Sequence, residues 1–186
     1  LLAVELSQGL GIFGATGPNT PNVSRAGMSS NFTKLTFDAS RNQALGDKFG
    51  IQVAARGQVA FQTLPASEEF GFGGPQFGRG YDPSEIIGDH GIEGKAELQY
   101  TEQDCLKGWV RTCQPYAFVD AGSVWNLSTT FGQPASQAGV SVGAGVRGNL
   151  NDHLSGYIEI DVPLIVLYSP QQSNGARFFF SLLVPF

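Results

Sequence analysis

Strict two-residue alternation in eight stretches, sparse charge and a regular alternation of long and short connections predict an all-β chain: an antiparallel transmembrane β-barrel. Charged residues make up 15% of the 186 residues, against about 25% in typical soluble domains. Mean hydropathy is −0.05, and no apolar run approaches the ~20 residues that a membrane helix needs. Apolar and polar residues alternating along strands give that balance, because one face meets lipid and the other a wet interior.

The first strand carries Leu2, Val4 and Leu6 against Glu5. Around 32–40, Leu35 and Phe37 oppose Lys34 and Asp38. In 51–62, Ile51, Val53, Ala55, Val59 and Phe61 oppose Gln52, Arg56, Gln58 and Gln62. In 92–100, Ile92, Ala96, Leu98 and Tyr100 oppose Glu93, Lys95, Glu97 and Gln99. Ala117, Val119 and Ala121 oppose Asp120 in the fifth strand. The sixth, 138–147, sets Ala138, Val140, Val142, Ala144 and Val146 against Gly139, Ser141, Gly143, Gly145 and Arg147. In 154–164, Leu154, Ile158, Ile160, Val162 and Leu164 oppose Tyr157, Glu159 and Asp161. The last places Phe178, Phe180, Leu182, Val184 and Phe186 opposite Arg177, Phe179, Ser181 and Leu183.

No apolar face in this set carries a charge, whereas a soluble sandwich, the competing fold, places Lys, Glu and Thr on its outward faces. The connections run long at 13–30, short at 41–47, very long at 64–90, intermediate at 101–113, long at 126–136, short at 149–153 and long at 166–175. Long loops at one end and short turns at the other are the habit of outer-membrane barrels. Leu1-Leu2-Ala3-Val4 is interrupted by Glu5 and has no basic segment before it, so it does not read as a signal peptide. Cys105 and Cys113, the two cysteines, fall in the intermediate link. They form either a disulfide, fitting an oxidising compartment, or two separate thiols in a turn.

Gly78-Arg79-Gly80-Tyr81 sits in the long loop, and Phe118-Val119-Asp120-Ala121-Gly122 forms a strand some forty residues later. With Phe72-Gly73-Gly74, Glu97-Leu98-Gln99-Tyr100 and Glu159-Ile160-Asp161-Val162-Pro163-Leu164, the order resembles the C-terminal half of a two-partner-secretion transporter (TpsB, haemolysin secretion/activation type), in the same superfamily as the BamA assembly factors. The resemblance implies a sixteen-stranded barrel of which these are the last eight strands. POTRA domains and the first strands would be absent from 1–186. It also implies that the 64–90 loop folds into the lumen, where Arg79 pairs with Asp120 as a lock.

Gly80 would then supply a backbone geometry that a side chain forbids, and Gly122 room for the loop beside Asp120. Phe77 and Tyr81 would pack the tip on the wall. Arg56, Glu93, Lys95, Glu97, Arg147, Glu159, Asp161 and Arg177 would line a hydrated, mixed-charge lumen, and Phe186 resembles a C-terminal barrel signal. The partners implied are a secreted polypeptide, outer-membrane lipid and the machinery that inserts barrels, in the bacterial outer membrane. A related barrel that inserts or assembles outer-membrane proteins, of the BamA or patatin-linked kind, is the alternative. A small barrel closed on eight strands is a third, disfavoured because its interior is just filled by side chains.

A net charge of −5 argues against nucleic acid. Gly143–Gly148 matches G-x-G-x-x-G, but lies in a strand with no helix expected after it. His90 with Asp89, and His153 with Asp152, fall in turns without a nucleophile or third partner. No catalytic residue, metal or cofactor is expected.

Overall fold

The computed structural model describes residues 1–17, 20–21, 23–105, 110–129, 134–151, 153–165 and 175–184. Phe186, the expected barrel signal, and Asp152 lie outside the described residues.

The elements in chain order are β1 (Leu2–Gln8), β2 (Thr33–Ala44), β3 (Phe49–Ala60), a single 3-10 turn (Ala66–Glu68), β4 (Phe70–Phe72), β5 (Ile86–Gly88), β6 (His90–Tyr100), β7 (Glu102–Gln103), β8 (Thr112–Trp125), β9 (Ser136–Asn151), β10 (Leu154–Pro163) and β11 (Arg177–Leu183). One antiparallel sheet runs β1-β2-β3-β6-β8-β9-β10-β11, with β7 on the end of β8. Each long strand thus pairs with the long strand before and after it. This meander is what short turns at one end and long loops at the other require. The eight stretches of alternation correspond to the eight strands of this path. The long loop holds structure the sequence did not announce, a two-stranded hairpin of β4 and β5. Among the described residues β1 and β11 have one partner each, so the sheet has two open edges.

The two faces are distributed opposite to those of a soluble domain. Val4, Leu6, Ile92, Leu98, Ile158, Ile160, Phe178 and Phe180 are exposed on one face. On the other, Glu97 is 1% exposed and Asp120, Ser141 and Asp161 are 0% exposed. Burial of so many charges on a sheet face needs a polar or paired cover, and the long loop is that cover.

Its aromatic residues make the principal core. Phe70, Phe72, Phe77, Tyr81 and Ile86 pack together with Val124 of β8. Glycines on the charged face make room for them. A Cβ on Gly91 would strike the Phe70 ring, and one on Gly122 or Gly139 the Phe72 ring. Gly122 therefore seats Phe72 rather than the turn beside Asp120. A smaller cluster of Phe32, Ala60 and Leu64 lies where the loop leaves β3. Cys105 and Cys113 are joined as a disulfide across the intermediate link, whose flanks Glu102 and Cys113 are register partners.

Candidate functional site: the pinned loop

Strand register decides which charges meet. One row across the charged face reads Gln52, Glu97, Phe118, Gly143, Asp161 and Arg177. The adjacent row places Lys95, Asp120 and Ser141 side by side. Gly143 carries no side chain and so leaves the Phe118 ring space to lie over the sheet. The loop lowers Arg79 onto this surface.

Asp120 receives four N–H groups from two consecutive loop residues. Its Oδ2 accepts the backbone amides of Gly78 (3.1 Å) and Arg79 (3.0 Å) and the Arg79 Nε–H (3.0 Å), while Oδ1 accepts Arg79 Nη2–H at 2.9 Å. Gly78 has φ +74, a left-handed turn that brings successive amides to bear on one anion. Gly80 does not share that conformation; its constraint is space. A Cβ there would meet Ser141 Cβ at 2.8 Å and the Pro163 backbone nitrogen at 2.9 Å.

The remaining Arg79 donor, Nη1, reaches Glu97 Oε2 at 2.8 Å and Glu159 Oε2 at 3.5 Å. The Arg79 side chain is 6% exposed and the Asp120 side chain 0%. Burial, the largest single influence, would ease the proton off Arg79; the hydrogen bond and charge of Asp120, with Glu97 and Glu159, together outweigh it and raise the pKa. A planar fork on one carboxylate with two further acceptors fixes orientation as well as distance.

The charges around this centre serve the loop more than solvent. Arg147 forks onto Glu97 at 2.5 and 3.1 Å and lies over the Tyr116 ring. The Tyr116 hydroxyl donates to Glu159 Oε2 at 2.7 Å. Arg56 pairs with Glu93 at 2.7 Å, donates to Gly71 O at 3.3 Å and lies 5.2 and 5.6 Å from the centres of the Phe70 and Phe77 rings. Lys95 lies 5.5 Å from the centre of the Phe77 ring. Arg177 holds Asp82 at 2.8 Å. Tyr81, 1% exposed, extends its hydroxyl to Ile165 O (2.7 Å) and Val140 O (2.9 Å) and accepts the Val140 amide.

Asp161 is buried beside Glu159 and accepts no hydrogen bond among the described residues. It lines a cavity of about 250 Å³ between the tip, β10 and β11, along with Tyr157 and Phe179. Four of the residues expected to line a hydrated lumen are covered instead: Glu93, Glu97, Glu159 and Asp161 are 2%, 1%, 7% and 0% exposed.

Sequence reasoning missed a second buried pair at the long-loop end. Arg25, in the 9–32 loop, forks onto Asp89 at 2.5 and 3.0 Å and reaches Asn126 Oδ1 at 2.8 Å. Burial alone would raise the Asp89 carboxyl, but Arg25 first and then the Leu64 and Leu127 amides hold it below its ordinary value. The neighbouring Glu69 is pushed up by burial, against the pull of Arg25. A signal existed: Arg25 is the one charged residue in 9–32. His90, beside Asp89, instead accepts the Ala60 amide at Nδ1. The G-x-G-x-x-G glycines lie inside β9.

The same fold and family emerge from comparison with known proteins. A solved structure of CdiB from Escherichia coli aligns with a TM-score of 0.77 at 22% sequence identity, covering 98% of this chain and 33% of that one. The chain therefore spans about a third of the length of the CdiB chain it matches. No curated protein sequence matches the chain. The family model described as "Haemolysin secretion/activation protein ShlB/FhaC/HecB" matches residues 1–147. A match over that span, on a CdiB-like antiparallel sheet, means that the chain belongs to the ShlB/FhaC/HecB family of haemolysin secretion/activation proteins, the two-partner-secretion transporters.

Proposed function

We propose that this chain is the C-terminal half of an outer-membrane pore that passes an unfolded partner polypeptide to the cell surface. In this reading the apolar face meets lipid and the charged face is the lumen. The two open edges continue into further strands of a sixteen-stranded barrel, with POTRA domains ahead of them. Loop 61–89 is the movable part that occupies the lumen. The mechanism is conformational and calls for no chemical step, in keeping with a family of transporters rather than enzymes.

The observation that carries the reading is the buried attachment of Arg79 to Asp120, Glu97 and Glu159. An interior loop that only filled space would need aromatic packing alone. A charge-assisted fork on a left-handed Gly78 turn defines one seat, which the loop can leave and re-enter. Removing one member of a buried pair costs about 3–5 kcal/mol, enough to bias a two-state loop almost wholly to one side. Outer-membrane lipid on the apolar face and the barrel-insertion machinery complete the set of partners.

Depletion of the complete protein tests the reading. The expected result is loss of one secreted partner from the medium while other outer-membrane barrels assemble at normal levels. A parallel fall in those barrels would instead favour the insertase alternative.

A further inference from the structure

We propose that Arg25, Asp89 and Asn126 form a second clasp that fixes the base of the long loop and the two loops beside it, independently of the attachment at Arg79. Its role as a cover over the mouth rests on the reading of this face as a pore. The clasp itself rests on contacts alone.

Asp89 stands where the long loop re-enters the sheet, one residue before β6. Its Oδ1 accepts the Leu64 amide at 2.8 Å, where the same loop has just left β3. Its Oδ2 accepts the Leu127 amide at 2.8 Å, in the loop after β8. Arg25 closes the arrangement from the 9–32 loop, with both Nη atoms on the carboxylate. One carboxylate therefore joins both ends of the long loop to each of its neighbours. Asn126 is held for its part by Ala135 O and Pro134 O, across the base of its own loop.

The Arg25 and Asp89 side chains are 3% and 0% exposed, and Glu69 lies 3.2 Å from Arg25. A buried bidentate pair with every carboxylate oxygen multiply bonded is a rigid joint. It sits over Leu64, 0% exposed, and Met28, 3% exposed, comes from the same loop as Arg25.

The two attachments share no residue. Gly78, Arg79 and Asp120 hold the tip; Arg25, Asp89, Leu64, Asn126 and Leu127 hold the base. Between them lie the 3-10 turn and the β4–β5 hairpin, which is braced by its own hydrogen bonds. The loop is thus fixed at its base and latched at its tip by separate sets of residues. Release of the tip would leave the loops around the base in place. Loss of the clasp would loosen those loops even with the tip latched.

The test uses Met28→Cys as a buried reporter in the purified complete protein in detergent micelles. It follows the rate of reaction with a thiol reagent such as dithiobis-nitrobenzoate. Arg25→Ala is expected to raise the rate at least tenfold, and Asp120→Asn to leave it within twofold. Arg25→Lys keeps the charge but loses the fork, and is expected to raise it about threefold; it decides the matter if Arg25→Ala does not yield folded barrel. An unchanged rate in the folded Arg25 variant overturns the clasp, and Asp120→Asn matching Arg25→Ala overturns its independence. A failure of the pore reading shows elsewhere, as unaltered secretion in Asp120→Asn, and leaves the labelling contrast standing.

Discussion

The Arg79 guanidinium carbon lies 3.3 Å from the centre of the Phe118 ring, so the residue that grips Asp120 is held from below by an aromatic face. Desolvated cation–π contacts of this kind contribute about 2 kcal/mol, and they favour a planar guanidinium over an ammonium. Arg79→Lys keeps the charge yet loses both the stack and the fork. It is expected to weaken the tip attachment by about 2 kcal/mol, roughly thirtyfold in the latched-to-free ratio. Protease nicking in the loop of the purified protein reads this directly. The same surroundings predict that exchanging the charges, Arg79→Asp with Asp120→Arg, will not restore the wild type. An acid at position 79 would face Glu97 and Glu159, which the exchange leaves in place.

Gly80 supplies a test that alters no charge. Gly80→Ala puts a methyl group against Ser141 Cβ and the Pro163 backbone nitrogen, and overpacking of that kind costs about 1–3 kcal/mol. The expected outcome is a loosened tip with an intact barrel, seen as faster nicking of the loop and unchanged heat-modifiable mobility on gels.

The sheet was legible because its signal is periodic: Ile158-Glu159-Ile160-Asp161 announces both a strand and its two faces. The Arg79–Asp120 relation was legible only through the resemblance, since forty-one positions separate the two residues and nothing local connects them. Arg25 and Asp89 escaped because no pattern ties an arginine in an irregular loop to an aspartate at a strand's edge. The β4–β5 hairpin escaped for a different reason. Each strand is three residues long, Phe70–Phe72 and Ile86–Gly88, too short for alternation to show. Glu93 and Glu97 read as solvated because alternation places a side chain on a face and says nothing about what covers it.

Cys105 and Cys113 close a short link at the end of the sheet opposite the clasp, eight positions apart. On the chain-entropy estimate a loop of that length contributes about 2.5 kcal/mol. Paired Cys105→Ser and Cys113→Ser replacements are expected to lower the thermal midpoint by a few degrees without altering the loop's nicking rate. Calorimetry and proteolysis of the same sample check both halves.

Acidity should act on the base of the loop. The Asp89 carboxyl lies below its ordinary value when folded, so its contribution is complete above the unfolded value of about 3.9 and is lost as pH falls through the folded one. Glu69, pushed up by burial, works in the opposite sense, and Glu69→Gln removes that part. In the Glu69→Gln protein the Leu64 and Leu127 amides, both bonded to Asp89, are expected to lose exchange protection together below about pH 4. Hydrogen exchange corrected for the intrinsic pH dependence measures it.

In the proposed mechanism a loop latched through Arg79 and Asp120 governs passage through the pore. Asp120→Asn keeps the shape of the side chain and removes the charge that gathers four N–H donors. The decisive measurement is the rate at which the partner protein reaches the medium from cells carrying this variant in the complete transporter. Heat-modifiable mobility on gels shows that the barrel is folded and present at wild-type level. A fall of at least tenfold is expected; secretion at the wild-type rate from a folded Asp120→Asn barrel would rule the latch out.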